Sequence, residues 1–182
     1  MNRIAIISGS PFAQSRTDCI LRFLSNELEG RGCDVSYISV RDVPAHDLME
    51  CRFDSPAILN IINILREADG VIVGSPVYQA AYSGALKALI DLMPMNILEG
   101  TPVLPLMTGG SKAHLLALEY SLKPLLATLK AHNLKGVYLI DKEIDKESEQ
   151  PILDEDTYGR TMKQIEYFLE FTGKISGKTI EN

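Results

Sequence analysis

Val71-Ile72-Val73-Gly74-Ser75-Pro76-Val77-Tyr78 leads within a few residues into Gly84-Ala85-Leu86-Lys87-Ala88-Leu89-Ile90-Asp91-Leu92. A charge-free, β-branched run suits a strand buried on both faces, Gly-Ser-Pro stops it, and the spacing of the later leucines is helical. The same strand, loop and helix arrangement occurs twice more. Ile4-Ala5-Ile6-Ile7 precedes Ser8-Gly9-Ser10-Pro11, and Val103 to Met107 precede Thr108-Gly109-Gly110-Ser111. Three small-residue loops at the carboxyl ends of three strands predict a binding site.

Working outward, Arg3 to Ile7 reads as the first strand, and a helix follows from Arg16 or Thr17 with Ile20, Leu21, Leu24 and Leu28 on its buried face. Cys33 to Val40 reads as a second strand, and Arg41 to Asp54 as an irregular connection. Ser55-Pro56 has the form of an N-cap with proline in the first turn, ahead of a stripe of Ile58, Ile61, Ile62 and Leu65. Pro105 lies inside the strand Val103 to Met107; it cannot donate to a ladder, so local irregularity is expected there. Lys112 to Lys130 reads as the longest helix, Gly136 to Ile140 as the fifth strand, and Asp141 to Gln150 as a charged loop. A last helix spans about Asp154 to Thr172. One domain, 1–172, with a frayed polar tail, 173–182, is expected.

The chain has 182 residues, 46% hydrophobic and 23% charged, with no apolar run near the roughly 20 residues of a membrane span. A net charge of −6 offers no basic footprint for nucleic acid. Met1-Asn2-Arg3 runs straight into strand-like sequence, which points to the cytoplasm. Cys19, Cys33 and Cys51 are odd in number and form no C-x-x-C, so reduced thiols are expected rather than disulfides or a metal site.

Five strands alternating with five helices imply an α/β fold, a doubly wound parallel sheet with helices on both faces. In the order 2-1-3-4-5, that of flavodoxin, the loops after strands one, three and four converge at the switch point where ligands bind. The first loop matches neither the dinucleotide nor the P-loop fingerprint. Ser8, Ser10, Ser15 and Thr17 supply hydroxyls, the helix start supplies N–H groups, and Arg16 supplies a forked cation, a set suited to a terminal phosphomonoester. Taken alone, the loop reads equally as a serine-rich turn capping a helix. Pro76, Val77 and Tyr78 offer a stiff backbone and one aromatic against which a flat heterocycle can lie, though Tyr78 also suits a core. Thr108, Gly109, Gly110 and Ser111 can turn N–H groups toward ring carbonyls.

These loops, together with Gly84-Ala85-Leu86-Lys87, resemble the NADPH-dependent FMN reductase family of flavodoxin-like proteins. Arg52 to Ala57, Ala80 to Lys87, His114 to Ala117 and Tyr120 to Pro124 are similar to its subgroup serving two-component alkanesulfonate monooxygenases. The resemblance implies hydride transfer from NADPH or NADH to FMN and delivery of reduced flavin to a flavin-dependent monooxygenase for sulfonate desulfonation. By the same resemblance Ser8, Ser10, Ser15, Arg16 and Thr17 hold the phosphate. Pro76, Val77 and Tyr78 take the ribityl chain and ring, and Thr108 to Ser111 the pyrimidine side. Relatives often carry arginine directly after Gly-Ser-Pro; Phe12 stands there instead and leaves Arg16 as the main cation.

Hydride passes directly between stacked rings, so no catalytic acid or base and no metal is assigned, and His46, His114 and His132 are read as structural or exposed. Lys87 and Asp91 are expected to pair. Pro124 deprives the Tyr120 carbonyl of its helical donor, a site for a kink or a π-bulge. The resemblance adds that Tyr120 generates a π-helix at an oligomer interface, in a homotetramer in preference to a homodimer. Two other readings share the fold: a flavodoxin-like electron carrier, and an azo- or quinone-reductase that keeps its FMN.

Overall fold

The computed structural model of the chain describes residues 1–178, with side chains described through residue 173. Its strands are β1 (Arg3–Ser8), β2 (Asp34–Ser39), β3 (Gly70–Pro76), β4 (Pro102–Gly109), β5 (His132–Asn133) and β6 (Val137–Ile140). Its helices are α1 (Arg16–Gly30), α2 (Ala45–Met49), α3 (Pro56–Glu67), α4 (Gly84–Ile90), α5 (Lys123–Thr128) and α6 (Glu155–Lys178). All strand pairs are parallel, in the order β2-β1-β3-β4-β5, with β6 also on β4. The flavodoxin-like doubly wound order is the expected one.

Alternation along the strands divides the core in two. Ala5, Ile7, Val71, Val73 and Val103 face α3, α4 and α5, while Ile4, Ile6, Ile72, Leu104 and Leu106 face α1 and α6. Both faces being covered is why the strands read as unbroken apolar runs. Phe168 of α6 is fully buried on the second face, and truncation to alanine there would remove about 3–5 kcal/mol.

The fifth strand is not the single run expected at Gly136 to Ile140, and Pro105 explains why. Val103 O accepts from Leu134 N (2.8 Å), so Pro105, two residues on, faces the same neighbour. There β5 has ended and β6 has not begun, and no donor is called for. The irregularity therefore falls on the neighbouring strand, and β4 itself pairs continuously with β3. Gly136 closes the gap at φ +82°, where a Cβ would stand 2.7 Å from Pro105 O.

Other boundaries also depart from expectation. The 41–54 connection contains a 3₁₀ turn (Val40–Asp42) and α2. Ser55 occupies the N-cap of α3, but its hydroxyl donates to Asp47 Oδ2 (2.6 Å) instead of capping. Residues 112–130 are not one long helix: a 3₁₀ turn (Lys112–His114), a π-helix (Leu118–Leu122) and α5 follow one another. The longest helix is α6, which passes the expected end at Thr172 and reaches Lys178; the rest of the expected tail, 179–182, lies outside the described residues.

Candidate active site

The loops following β1, β3 and β4 meet because those strands are adjacent and parallel. Gly9 N donates to Gly74 O (2.7 Å), and Val77 N to Thr108 O (2.8 Å). Thr17 and Thr108 share a hydroxyl hydrogen bond of 2.6 Å, joining the first loop to the third. Ser83, the N-cap of α4, donates to Gly9 O (2.5 Å) and accepts from Leu86 N, tying the second loop to the first. Gly9 must lack a side chain, since a Cβ would lie 2.9 Å from Leu86 Cβ and 3.0 Å from Gly74 O.

The first loop is separated into support and mouth. Ser8 and Thr17 are fully buried, and the Ser8 hydroxyl donates to Asp18 Oδ1 (2.8 Å), so these two expected ligand-facing hydroxyls are turned into the fold. Ser10 is buried as well, its hydroxyl accepting from Phe12 N within a tight turn (3.2 Å). Ser15 caps α1, accepting from Asp18 N (3.0 Å). Arg16 and the Pro11 to Gln14 segment are exposed. Among the described residues Arg16 has no carboxylate partner, and the N–H groups of Ala13, Gln14, Arg16 and Thr17 have no acceptor. Open donors at a helix N-terminus beside an unpaired guanidinium suit an anion.

Asp18 organises this loop, and the sequence reading did not single it out. Its side chain is 1% exposed and accepts from Ser8, Tyr37 (2.7 Å), Arg41 (3.3 Å) and Arg22 (3.1 Å). Burial pushes the carboxyl up, but the Tyr37 and Ser8 hydroxyls and the Arg41 charge outweigh it and hold the pKa below the usual value. Tyr37 is shifted upward by burial and by Asp18, and stays a donor. Arg41 reaches past Asp18 to donate to Ser10 O (2.7 Å), and Lys146 donates to Gln14 O (3.1 Å). A local signal for Asp18 existed: it shares a helical face with the buried Leu21, Ser25 and Leu28. Arg41 and Tyr37 offered none.

Around the second loop, Tyr78 and Ala81 bond reciprocally through their backbones (2.8 and 3.0 Å), with Gln79 at φ +46° and Ala80 at φ +63° between them. This two-residue reversal normally asks for Asn-Gly, so left-handed Gln-Ala is strained. Pro76 and Val77 are half-buried and Tyr78 is 41% exposed, placing its ring at the mouth. In the third loop Thr108 and Gly109 are buried while Gly110 and Ser111 are exposed. Tyr138 of β6 donates to Ser111 O (2.6 Å) and lies against Gly109, where a Cβ would meet its hydroxyl at 2.5 Å. Burial, then Asp141, raises the Tyr138 pKa and keeps it a donor. A Cβ at Gly110 would have only Asp141 near it, at 4.0 Å, so that stretch of backbone is open to a ligand.

Lys87 and Asp91 pair at 2.7 Å on α4, as their spacing implies. His46 contacts Asp47, His132 stacks on Phe171, and His114 is exposed in the 3₁₀ turn. Among the described residues no cluster could hold a metal ion, no helix is long and apolar enough to cross a membrane, and the three cysteines are unpaired.

A helix start with open N–H donors, an open glycine backbone and an aromatic at one switch point of a flavodoxin-like sheet suit a phosphorylated, flat ligand. The model of the NADPH-dependent FMN reductases matches residues 2–145, and the chain belongs to that family. An FMN reductase (NADPH) of Escherichia coli K12 is 46% identical over 143 residues, 78% of this chain and 75% of its own. An NADH-dependent FMN reductase of Pseudomonas putida is 34% identical over 149 residues, 79% and 80% of the two chains. The apo crystal structure of an NADH:FMN oxidoreductase superposes with TM-score 0.81 at 29% identity, covering 92% of this chain and 88% of that one. An archaeal flavodoxin at 15% identity (TM-score 0.59; 96% and 99% covered) shares the fold. The protein is thus an oxidoreductase that uses NADPH or NADH to reduce FMN.

Proposed function

We propose that this chain reduces FMN as a passing substrate and delivers it to a flavin-dependent monooxygenase acting on sulfonates, in a cytoplasm where its three cysteines stay reduced. The observation that carries the site assignment is the open N–H groups of Ala13, Gln14, Arg16 and Thr17 beside the unpaired Arg16 side chain. These groups and Ser15 would hold the flavin phosphate, and Ser10 would shape the turn. Ser8 and Thr17 act from beneath, positioning the loop through Asp18 and Thr108. Pro76, Val77 and Tyr78 would line the ribityl chain and one ring face, and Thr108 to Ser111 would present backbone to the pyrimidine edge. FMN supplies the hydride acceptor, N5. The chain needs no proton donor for that transfer; its residues fix the ring and leave the opposite face open to the nicotinamide.

The monooxygenase partner is supported by the resemblance of 52–57, 80–87, 114–117 and 120–124 to reductases of two-component systems. Release of flavin is supported by the π-helix: Tyr120 is at its centre, 78% exposed, beside the exposed Leu116. Tyr120 also shares a hollow of about 210 Å³ with Ala80 of the second loop. We assign this face, with Pro124 just beyond, to a contact with a second copy in a homotetramer. Deleting Tyr120 should give protein that retains FMN through purification and elutes at altered size.

NADPH oxidation measured with and without added FMN tests the reading. Dependence on free flavin is expected. Full turnover on dye or quinone with tightly retained FMN would identify an azo- or quinone-reductase instead, and no oxidation an electron carrier.

A further inference from the structure

The outer edge of β6 has no partner strand among the described residues. A groove of about 460 Å³ runs along it, between the 115–119 segment and α6, within the roughly 300–1,000 Å³ of small-molecule sites. Leu115, Leu118 and Val137 give it an apolar wall, and Lys135, Arg160 and Lys163 bring three cations. Its one lining carboxylate, Glu119, is paired with Lys123 Nζ at 2.7 Å. None of the three cations is in ion-pair contact with a carboxylate among the described residues. Arg160 and Lys163 also border an adjoining hollow that carries Glu143, Asp154, Glu155 and Asp156, whereas Glu119 is the one carboxylate lining the groove itself. Arg160 is also held in place: Nη2 donates to Thr157 Oγ1 (2.9 Å) and Nε to Asp156 O (3.3 Å), leaving Nη1 uncommitted.

The groove adjoins the flavin site through Tyr138, which lines it and whose hydroxyl holds Ser111 O in the third loop. We propose that this groove takes the adenosine 2′-phosphate end of NADPH, the adenine against Leu115, Leu118 and Val137 and the 2′-phosphate among Lys135, Arg160 and Lys163. A forked guanidinium and two ammonium groups match a phosphate dianion, and the aliphatic wall matches a purine face. The assignment rests on the reductase reading and adds to it a coenzyme preference, NADPH over NADH. It also accounts for the absence of a glycine-rich dinucleotide fingerprint: the coenzyme is held by cations of a sheet edge and a helix flank, not by a βα turn.

The test uses the double variant Lys135→Glu/Lys163→Glu, both exposed positions, with Arg66→Glu on α3, across the sheet, as the charge control. Calorimetric titration of flavin-free protein with adenosine 2′,5′-bisphosphate should show wild type binding it at least about tenfold more tightly than AMP, as charge-assisted contacts imply. The double variant should lose that difference. In turnover its KM for NADPH should rise at least about tenfold, with the NADH value and FMN affinity unchanged. Wild type that oxidises NADPH with FMN but does not discriminate the two adenosine phosphates overturns the assignment and leaves the reductase reading standing. So does a double variant that shifts both coenzymes alike or neither. No oxidation of either coenzyme by wild type removes both readings.

Discussion

Replacing Asp18 by Asn removes a charge and almost no volume from the most connected polar point of the fold. The amide oxygen can keep the place of Oδ1 and continue to accept from Ser8 and Tyr37. Each bond then falls from the charged-acceptor range of about 1.5–3 kcal/mol to about 0.5–1.5, a loss of about 1 kcal/mol apiece. Arg41, with its side chain 25% exposed, loses its carboxylate for about 1 kcal/mol more. Arg22 is 59% exposed, and its share is screened to near nothing. The sum is about 3 kcal/mol, or about 6–12 °C in Tm for a domain of this size. The folded-state pKa of Asp18 lies below its ordinary value of 3.8, so its stabilisation is fully present above that value and is lost as pH falls through the folded one. Urea unfolding at pH 7 should therefore show the whole difference between wild type and variant, and the gap should narrow below pH ~4. A pH 7 difference under about 0.5 kcal/mol, or a gap that stays constant into acid, would refute the assignment of Asp18 as an ionised keystone.

Ala80→Gly relieves a left-handed residue at φ +63° and should raise unfolding stability by about 1 kcal/mol in the same assay. Gly136→Ala must place a Cβ 2.7 Å from the Pro105 carbonyl, backbone that cannot yield, and should cost about 2–4 kcal/mol. Arg16→Ala removes an exposed cation from the start of α1, so thermal unfolding should stay level or rise slightly. Its FMN Kd, followed by flavin fluorescence, should increase by about 10–100-fold; an unchanged Kd would place the phosphate elsewhere.

The strand at Val71 to Pro76, the apolar faces of α1 and α3 and the three small-residue loops were legible in the chain itself, because periodicity and turn chemistry are local. So was the tension at Pro124, since a missing N–H belongs to its own helix. What only the tertiary structure decided are the matters of strand order. It set Gly136 opposite Pro105 and so broke the fifth strand. It brought Tyr37 of β2 and Arg41 of the turn after it onto Asp18, which turned Ser8 from a ligand-facing hydroxyl into a buried support. It stood Tyr138 behind Gly109 and ranged Lys135, Arg160 and Lys163 along one open edge. Hydrogen bonds and charges separated by tens of residues leave no periodic trace; they come into being only when the sheet has chosen its neighbours.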